Sequence, residues 1–241
     1  MVTPIPHIAV VIPTFNEREN IEALVEKIFS LGIPGVTMIV VDDNSPDGTG
    51  SVAEMLSIKH PLQVIHRVEK QGLGTAYILA FKKLLSVDFR EKPDYIIQMD
   101  ADLSHDPCVI LEMRSAIKDH DVIIGSRYTR GGEIENWEFS RRFLSKSGNF
   151  YARVILGLPY RDITSGFKCY RREVLENIDL DSLNSVGYNF QIETIYKAHK
   201  KGFRICEIPI TFTERRAGVS KMNFPIILES FWKVLKLRFG K

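Results

Sequence analysis

The sequence predicts an α/β fold: a mostly parallel sheet with helices on both faces, followed by an amphipathic C-terminal helix. Three observations carry this expectation. Through the first half, short β-branched runs alternate with helical stretches of roughly 10–15 residues. Runs such as VVI and IVV are continuously apolar, as in strands buried on both faces. With 44% hydrophobic and 26% charged residues over 241 positions, the chain can also build a sizeable core without staples.

The elements follow in order. His7–Pro13 (HIAVVIP) reads as a buried strand. Asn16 can cap a helix from about Glu17 to Leu31, with Ile21, Leu24, Val25 and Ile28 on one face. Thr37–Val41 is a second strand, ended by the turn-rich DDNSPDGTG of residues 42–50. Leu62–Ile65 is a short third strand, and Gly72–Gly74 lead into a helix carrying Ala76, Leu79, Ala80 and Leu84. Tyr95–Met99 is the fourth strand. Asp106-Pro107 starts another helix, with Pro at its first position, and Asp121–Gly125 is the fifth strand. Residues 129–138 look like an exposed loop, followed by a helix from about Phe139 to Leu156. Phe167–Tyr170 and Phe203–Phe212 look like strands, with a helix over Asn189–Lys201 between them. At ~150 residues per domain the chain reads as one large domain, 1–222, with 223–241 as an appended helix.

Composition excludes several classes. The net charge is +2, so no nucleic-acid partner is expected. Cys108, Cys169 and Cys206 are widely spaced, which argues against a disulfide framework or a structural zinc site and fits a reducing compartment. No secretory signal is visible at the start. No apolar run approaches the ~20 residues of a membrane span; the stretch 223–239 is broken by Glu229, Lys233, Lys236 and Arg238.

In such sheets ligands bind beyond the carboxyl ends of the strands, which selects residues 14–17, 42–47, 100–106 and 126–128. No GxGxxG follows the first strand, and GLGTAY at 72–77 has Tyr77 where the fingerprint needs Gly or Ala. A P-loop is also missing. Instead, acids stand at strand exits: Asp42-Asp43 and Asp100-Ala101-Asp102. Carboxylates repel a bare phosphate. They suit ribose hydroxyls or a base, or a divalent cation that holds a diphosphate. The two-residue spacing of Asp100 and Asp102 can direct both at one metal, or one at metal and one at ribose.

The segments PTFNE, VVDDNSPDGT, MDADLSHDP, GSRY and SGF–Y-R-R-E together resemble the family 2 glycosyltransferases of the GT-A, Rossmann-like fold. ADLSHDP, GSRYTRGGEIENW, DITSGFK and RRAGVSK narrow the resemblance to dolichyl- or polyprenyl-phosphate mannose synthases. The similarity runs from Ile8 to about Lys221. It implies inverting, non-processive transfer of mannose from GDP-mannose to a dolichyl or polyprenyl phosphate, with 1–222 as the catalytic domain. A different donor such as UDP-glucose is the alternative within the class; a non-catalytic nucleotide-binding module is the alternative outside it. The QxxRW signature of processive synthases is absent.

The resemblance also implies residue roles. Pro13, Phe15 and Glu17 would line the base and ribose pocket, with Val41 and Asp43 opposite, while Asp42 braces the turn. Asp100, Ala101 and Asp102 would contact the donor, with Asp102 the best ligand for Mg²⁺ or Mn²⁺ and Asp100 the second. Some relatives place a Gln where this chain has Ser104, a weaker metal ligand. His105 reads as a surface histidine. Arg127 and Arg141 would hold the phosphate of the lipid acceptor, with Arg142 facing water. Arg215 and Lys221 would clamp the donor diphosphate. Asp162, Ser165 and Gly166 would pack beneath the acceptor site, with Gln191 and Glu193 pointing the same way. A phosphomonoester, with its second pKa near ~6, is largely a dianion at neutral pH and needs no general base to attack.

The last segment bears on location. Phe224, Ile227, Leu228, Phe231 and Leu235 fall on one helical stripe with Trp232 beside it. From Lys221 to Lys241 there are five basic residues and one acid. A basic amphipathic helix with aromatics fits contact with a membrane surface; a terminal helix packed on the sheet is the other reading. The resemblance implies a cytoplasmic protein, peripheral on the cytoplasmic face of a membrane, and leaves room for a membrane-protein partner.

Overall fold

The computed structural model describes residues 5–183, 187–214 and 224–240. In chain order the elements are β1 (Ile8–Thr14), α1 (Arg18–Ser30), β2 (Val36–Asp42), α2 (Thr49–Ser57), β3 (Leu62–His66), α3 (Leu73–Leu85), β4 (Tyr95–Gln98), α4 (Val109–Ala116) and β5 (Val122–Ser126). There follow β6 (Glu133–Glu135), α5 (Phe139–Leu156), β7 (Lys168–Arg171), α6 (Arg172–Asn177), α7 (Tyr188–Lys200), β8 (Ile205–Pro209), β9 (Thr211–Thr213) and α8 (Phe224–Phe239).

Seven strands form one sheet in the order β3-β2-β1-β4-β7-β5-β8. All neighbours run parallel except β7, which is antiparallel to both β4 and β5. Side chains alternate across the sheet as the strand pleat requires. Ala9, Val11, Ile39, Val41, Ile96 and Ile124 face the core under α3, α6 and α7. Val10, Ile12, Met38, Val40, Ile97 and Ile123 face the core under α1, α2 and α4. The mostly parallel sheet with helices on both faces is therefore as the sequence predicts.

Local departures have local causes. Asn16 does not cap α1; it takes φ 60°, a conformation asparagine tolerates, and turns the chain sharply out of β1. The orphan amides are served from a distance instead: Arg18 N donates to Asp47 Oδ2 (3.1 Å) and Glu17 N to Thr49 Oγ1 (2.9 Å). Asp106 accepts from Cys108 N (3.0 Å) in a turn before α4, which begins only at Val109. On α3 the buried face is Ala76, Tyr77, Ala80, Phe81 and Leu84, while Leu79 is exposed. There Tyr77 stacks on Phe190 with ring centroids 5.6 Å apart, and Phe81 meets Tyr170 edge-on. The single strand expected over Phe203–Phe212 divides into β8 and β9. β8 extends the main sheet and β9 pairs with β6, a strand inside the segment read as loop.

The C-terminal helix packs with Val234 in the core and Leu237 against it, while Trp232 and Phe239 point outward. Phe231 lies on the ring of Tyr151 of α5 (4.2 Å), and Tyr151 Oη donates to Phe231 O. Val234 and Leu237 thus pack inward beside the predicted stripe, of which Phe231 lies against α5. The side chains of Phe224, Ile227 and Leu228 lie outside the described residues.

The aromatic layer under α3 generates a stability test. Phe81→Ala should cost about 3–5 kcal/mol in urea unfolding, because it opens a cavity between Tyr77, Tyr170 and Phe190. Leu79→Ala, on the exposed face, should change stability by no more than about 0.5 kcal/mol.

Candidate active site

Because β1, β2, β4 and β5 run parallel, their carboxyl ends share one edge of the sheet, where open α/β sheets bind ligands. Three of these exits turn through left-handed backbone at non-glycine residues: Asn16, Asn44 and Leu103. Leucine at φ 58° carries a conformational cost of about 1–2 kcal/mol. It sits between Asp102 and Ser104, and both the amide (3.2 Å) and the hydroxyl (2.6 Å) of Ser104 donate to Asp102 Oδ1. Ser104 is therefore a brace that orients Asp102, whereas the sequence suggested a weak ligand in its own right.

At the β1 and β2 exits, Asp42 accepts from Thr14 Oγ1 (3.1 Å), Ser45 N (3.1 Å) and Ser45 Oγ (2.6 Å), the bracing role expected of it. Asp43 is buried and paired with Arg67 Nη1 at 2.6 Å. Arg67 donates also to Gln71 Oε1, Thr75 Oγ1 and Gly72 O. Burial raises the Asp43 carboxyl, and Arg67 offsets this only in part. Phe15 is half-buried, with the Lys70 ammonium 3.7 Å above its ring. Pro13 and Glu17 are half-buried beside it, and Glu17 accepts from Asn20 Nδ2 (2.9 Å). The side chains of Val41 and Ala101 are packed in the core, so any contact they make with a ligand is through backbone.

A cavity of about 190 Å³ lies beyond β4 and β5. It gathers Asp100, Asp102, Arg127 and Arg141 from distant parts of the chain, but not Pro13, Phe15, Glu17 or Asp43. Arg127 is held by Asp162 through Nε (2.7 Å), Nη2 (2.7 Å) and its own amide (2.9 Å). Asp162 is fully buried; Thr164 Oγ1 accepts from Arg127 Nη2 and is also within 2.7 Å of Asn149 Nδ2 of α5. Burial would raise the Asp162 carboxyl, but the Arg127 guanidinium and its hydrogen bonds hold it below the usual carboxylate range. Glu207 accepts from the amides of Arg161 and Asp162 (both 2.8 Å), tying this loop to β8. Arg141 stacks over Trp137 (4.1 Å) and bonds Glu214 Oε1 (2.6 Å). Trp137 is also 5.9 Å from the Arg127 guanidinium, so one indole lies beside both arginines. Arg142 is exposed, as expected.

His105 is not a surface histidine. It is buried between Phe167 (5.0 Å) and Phe212 (5.2 Å), on the cavity wall, and burial pushes its pKa down to about 4. Ser165 Oγ bonds Gly125 O (2.6 Å), and Gly166 lies so close to Asp100 that a Cβ would stand 2.9 Å from Oδ2. Gln191 and Glu193 are buried, with Glu193 paired to Lys197 (3.1 Å). Arg215 and Lys221 lie outside the described residues.

Asp100 and Asp102 form an all-oxygen donor pair suited to a hard cation such as Mg²⁺ or Mn²⁺. Among the described residues no cluster of three His, Cys, Asp or Glu could hold a metal. The pair therefore fits an ion that takes its other ligands from substrate phosphates and water. Sequence reading missed Arg67, Trp137, Glu214 and the buried Lys168. A lysine between Phe167 and Cys169 in an apolar strand was the one visible signal among these. Arg67 and Glu214 depend on contacts 24 and 73 residues away along the chain, and Trp137 on its meeting with Arg127 and Arg141 in the folded site.

Residues 9–179 match the family profile described as Glycosyl transferase family 2. A polyprenol monophosphomannose synthase from Mycolicibacterium smegmatis is 45% identical over 97% of this chain and 87% of its own length. An undecaprenyl-phosphate mannosyltransferase from Micrococcus luteus is 39% identical over 95% of this chain and 98% of its own length. Among solved structures, a mannosyltransferase from Pyrobaculum calidifontis in complex with GDP-Man and Mn²⁺ shares the fold. It has a TM-score of 0.62 and 17% identity, over 99% of this chain and 71% of that one.

The Arg127–Asp162 pair generates a pH test. The Asp162 carboxyl is more acidic in the folded than in the unfolded chain. Its contribution is therefore full above the unfolded value near ~4 and is lost as pH falls through the folded value. Asp162→Ala should cost about 3–5 kcal/mol at pH 7, measured by urea unfolding, because it leaves a buried guanidinium without its counter-charge. The difference from the parent should narrow progressively below pH 4.

Proposed function

The chain belongs to glycosyl transferase family 2, and from that membership we propose that it transfers mannose from GDP-mannose to a polyprenyl or dolichyl phosphate. One observation carries this reading. Two carboxylates and two arginines share a cavity with an apolar stretch of wall, supplied by α5 (Leu144, Tyr151, Ala152) and α8 (Phe231, Val234), beside polar groups such as Ser145, Asn149 and Gln191. Carboxylates suit a metal-bound donor, arginine forks suit a phosphate, and an apolar wall suits a prenyl chain.

The chemistry follows from charge. When bound, Mg²⁺ or Mn²⁺ would neutralise the leaving diphosphate, with Asp102 and Asp100 as its protein ligands. Arg127 and Arg141 hold the acceptor phosphate with one oxygen directed at the anomeric carbon. That oxygen is already largely deprotonated at neutral pH, so the chain's residues contribute positioning and electrostatics rather than a general base. Displacement from the face opposite the diphosphate inverts the anomeric centre. One transfer consumes the acceptor phosphate, so the reaction is non-processive. Arg215 and Lys221 complete the donor clamp in this proposal, and Phe15, Glu17 and Asp43 with Arg67 flank the nucleotide.

The acceptor also places the protein at a membrane surface. Among the described residues no helix is long and apolar enough to cross a bilayer. However, α5 has four basic residues and no acid, and it exposes Phe139, Phe143, Phe150 and Val154. Together with Trp232 and Phe239 of α8, this is a basic, aromatic face of the kind that lies in a headgroup layer.

Two measurements test the proposal. With a short polyprenyl phosphate, the protein should release GDP and form mannosyl phospholipid only with Mg²⁺ or Mn²⁺. Asp102→Ala should lower the rate at least about a hundredfold, and full activity in excess EDTA would refute the metal role. Phe143→Ser with Phe150→Ser should weaken sedimentation with anionic vesicles several-fold while GDP binding is retained; unchanged vesicle binding would move the membrane face elsewhere.

A further inference from the structure

Behind the carboxylates lies a buried polar network with one loose end. Lys168 of β7 is fully buried, and its ammonium donates to Gln191 Oε1 (2.8 Å) and to the Gln191 carbonyl (3.0 Å). Gln98, at the end of β4, is buried beside it. Its Nε2 donates to the Gly166 carbonyl (3.1 Å) and to Gln191 Oε1, and its Oε1 accepts from Tyr170 Oη (3.1 Å). Amide orientation is ordinarily ambiguous, but here the network decides it. An ammonium can only donate and a carbonyl can only accept. The Gly166 carbonyl therefore requires Nε2 of Gln98 to face it. The Gln98 amide that donates to the Gly166 carbonyl also meets Gln191, so Oε1 of Gln191 must face inward, where Lys168 donates to it as well. With Oε1 of Gln191 held by two donors, its Nε2 is turned away from the network. That nitrogen is buried and has no partner among the described residues.

Gln191 lines the cavity together with Asp100 and Gly166. Gly166 touches both sides: its carbonyl takes the Gln98 amide, and its α-carbon abuts the Asp100 carboxylate. A preoriented N–H donor and an acceptor-only carboxylate thus stand on one stretch of wall. A hydroxyl is the group that satisfies both, since it accepts from one and donates to the other. A phosphate oxygen could take the amide but has no proton to donate to Asp100, and the phosphate-binding arginines belong to other segments of the wall.

We infer that Gln191 recognises the transferred sugar, donating from Nε2 to one of its hydroxyls, and that Lys168 is the positioning residue that aims it. This rests on the proposed sugar-transfer reading and adds the residue that distinguishes a sugar from a bare nucleotide. A neutral donor here also leaves the attacking phosphate free of a competing anion, which a carboxylate at the same position would be.

Calorimetry with GDP and GDP-mannose, in Mn²⁺, tests the inference through the ratio of the two affinities, which cancels any effect on the nucleotide half. Gln191→Glu keeps the side-chain length and an acceptor for Lys168 and Gln98 while removing the donor. It should weaken GDP-mannose about tenfold relative to GDP and leave the KM for polyprenyl phosphate unchanged. Lys168→Met should shift the ratio the same way, and the double variant should lose no more than Gln191→Glu alone. Gln191→Met is the second variant should the glutamate misfold, with GDP binding as the check on folding. The parent should also discriminate against at least one GDP-mannose analogue lacking a single hydroxyl. An unchanged ratio, a loss that falls on polyprenyl phosphate, or a parent indifferent to every deoxy analogue would overturn the inference. If the parent uses UDP-glucose instead, the mannose assignment fails, and UDP-glucose against UDP decides the role of Gln191 in the same way.

Discussion

The buried ion pair of Arg127 and Asp162 is the interaction on which the rest of this site depends. A guanidinium this deep is tolerable only because its counter-charge meets it through two side-chain bonds and a backbone amide. The pair ties the exit of β5 to the loop before β7. Through Asn149 it also ties both to α5, and through Glu207 to β8. Four elements far apart in sequence are thereby fixed around one cavity. The aromatic rings of Tyr128, Trp137 and Phe212 lie 5.3 to 5.9 Å from the guanidinium and shield it from bulk water. Its interaction with an incoming anion is correspondingly strengthened.

The reversed strand β7 is the second constraint. Inserted antiparallel between β4 and β5, it carries Lys168 into the centre of the sheet beside Gln98. Its approach brings Thr164 and Gly166 to the carboxyl ends of strands that run the other way. In a wholly parallel sheet the start of that strand, with its preceding loop, would lie at the opposite edge. The acidic exit of β4 and the basic exit of β5 are thus separated by one strand, whose preceding loop serves both. Opposite charges held apart in one cavity suit the proposed metal-bearing donor and anionic acceptor without neutralising each other.

The outer helices extend the site in another direction. α5 supplies Arg141 and Asn149 to the cavity on one face and an apolar, basic surface on the other. α8 closes beside it with Val234 inward and Trp232 outward. One pair of helices can therefore line the path of a prenyl chain and rest on the layer from which that chain comes. Of the two readings of the C-terminal helix, packing holds through Val234 and Leu237, and surface contact remains part of the proposal.

What the sequence determined by itself is what short-range pattern encodes. The strand and helix periodicities located most elements, including α5 to the residue, because burial on one or both faces dictates which positions are apolar. The acids after β2 and β4 and the arginine after β5 were legible because strand exits are where a parallel sheet presents ligands. Tertiary structure alone decided which of these groups remain available. Asp43 is committed to Arg67, Ser104 braces Asp102, Val41 and Ala101 belong to the core, and His105 is buried between two rings. It also decided the direction of β7, the division of β8 from β9, and the network that turns the Gln191 amide outward. The reason is the same each time. Charge pairing, burial and hydrogen-bond direction are properties of groups that meet across tens of residues, and no local pattern records which groups will meet.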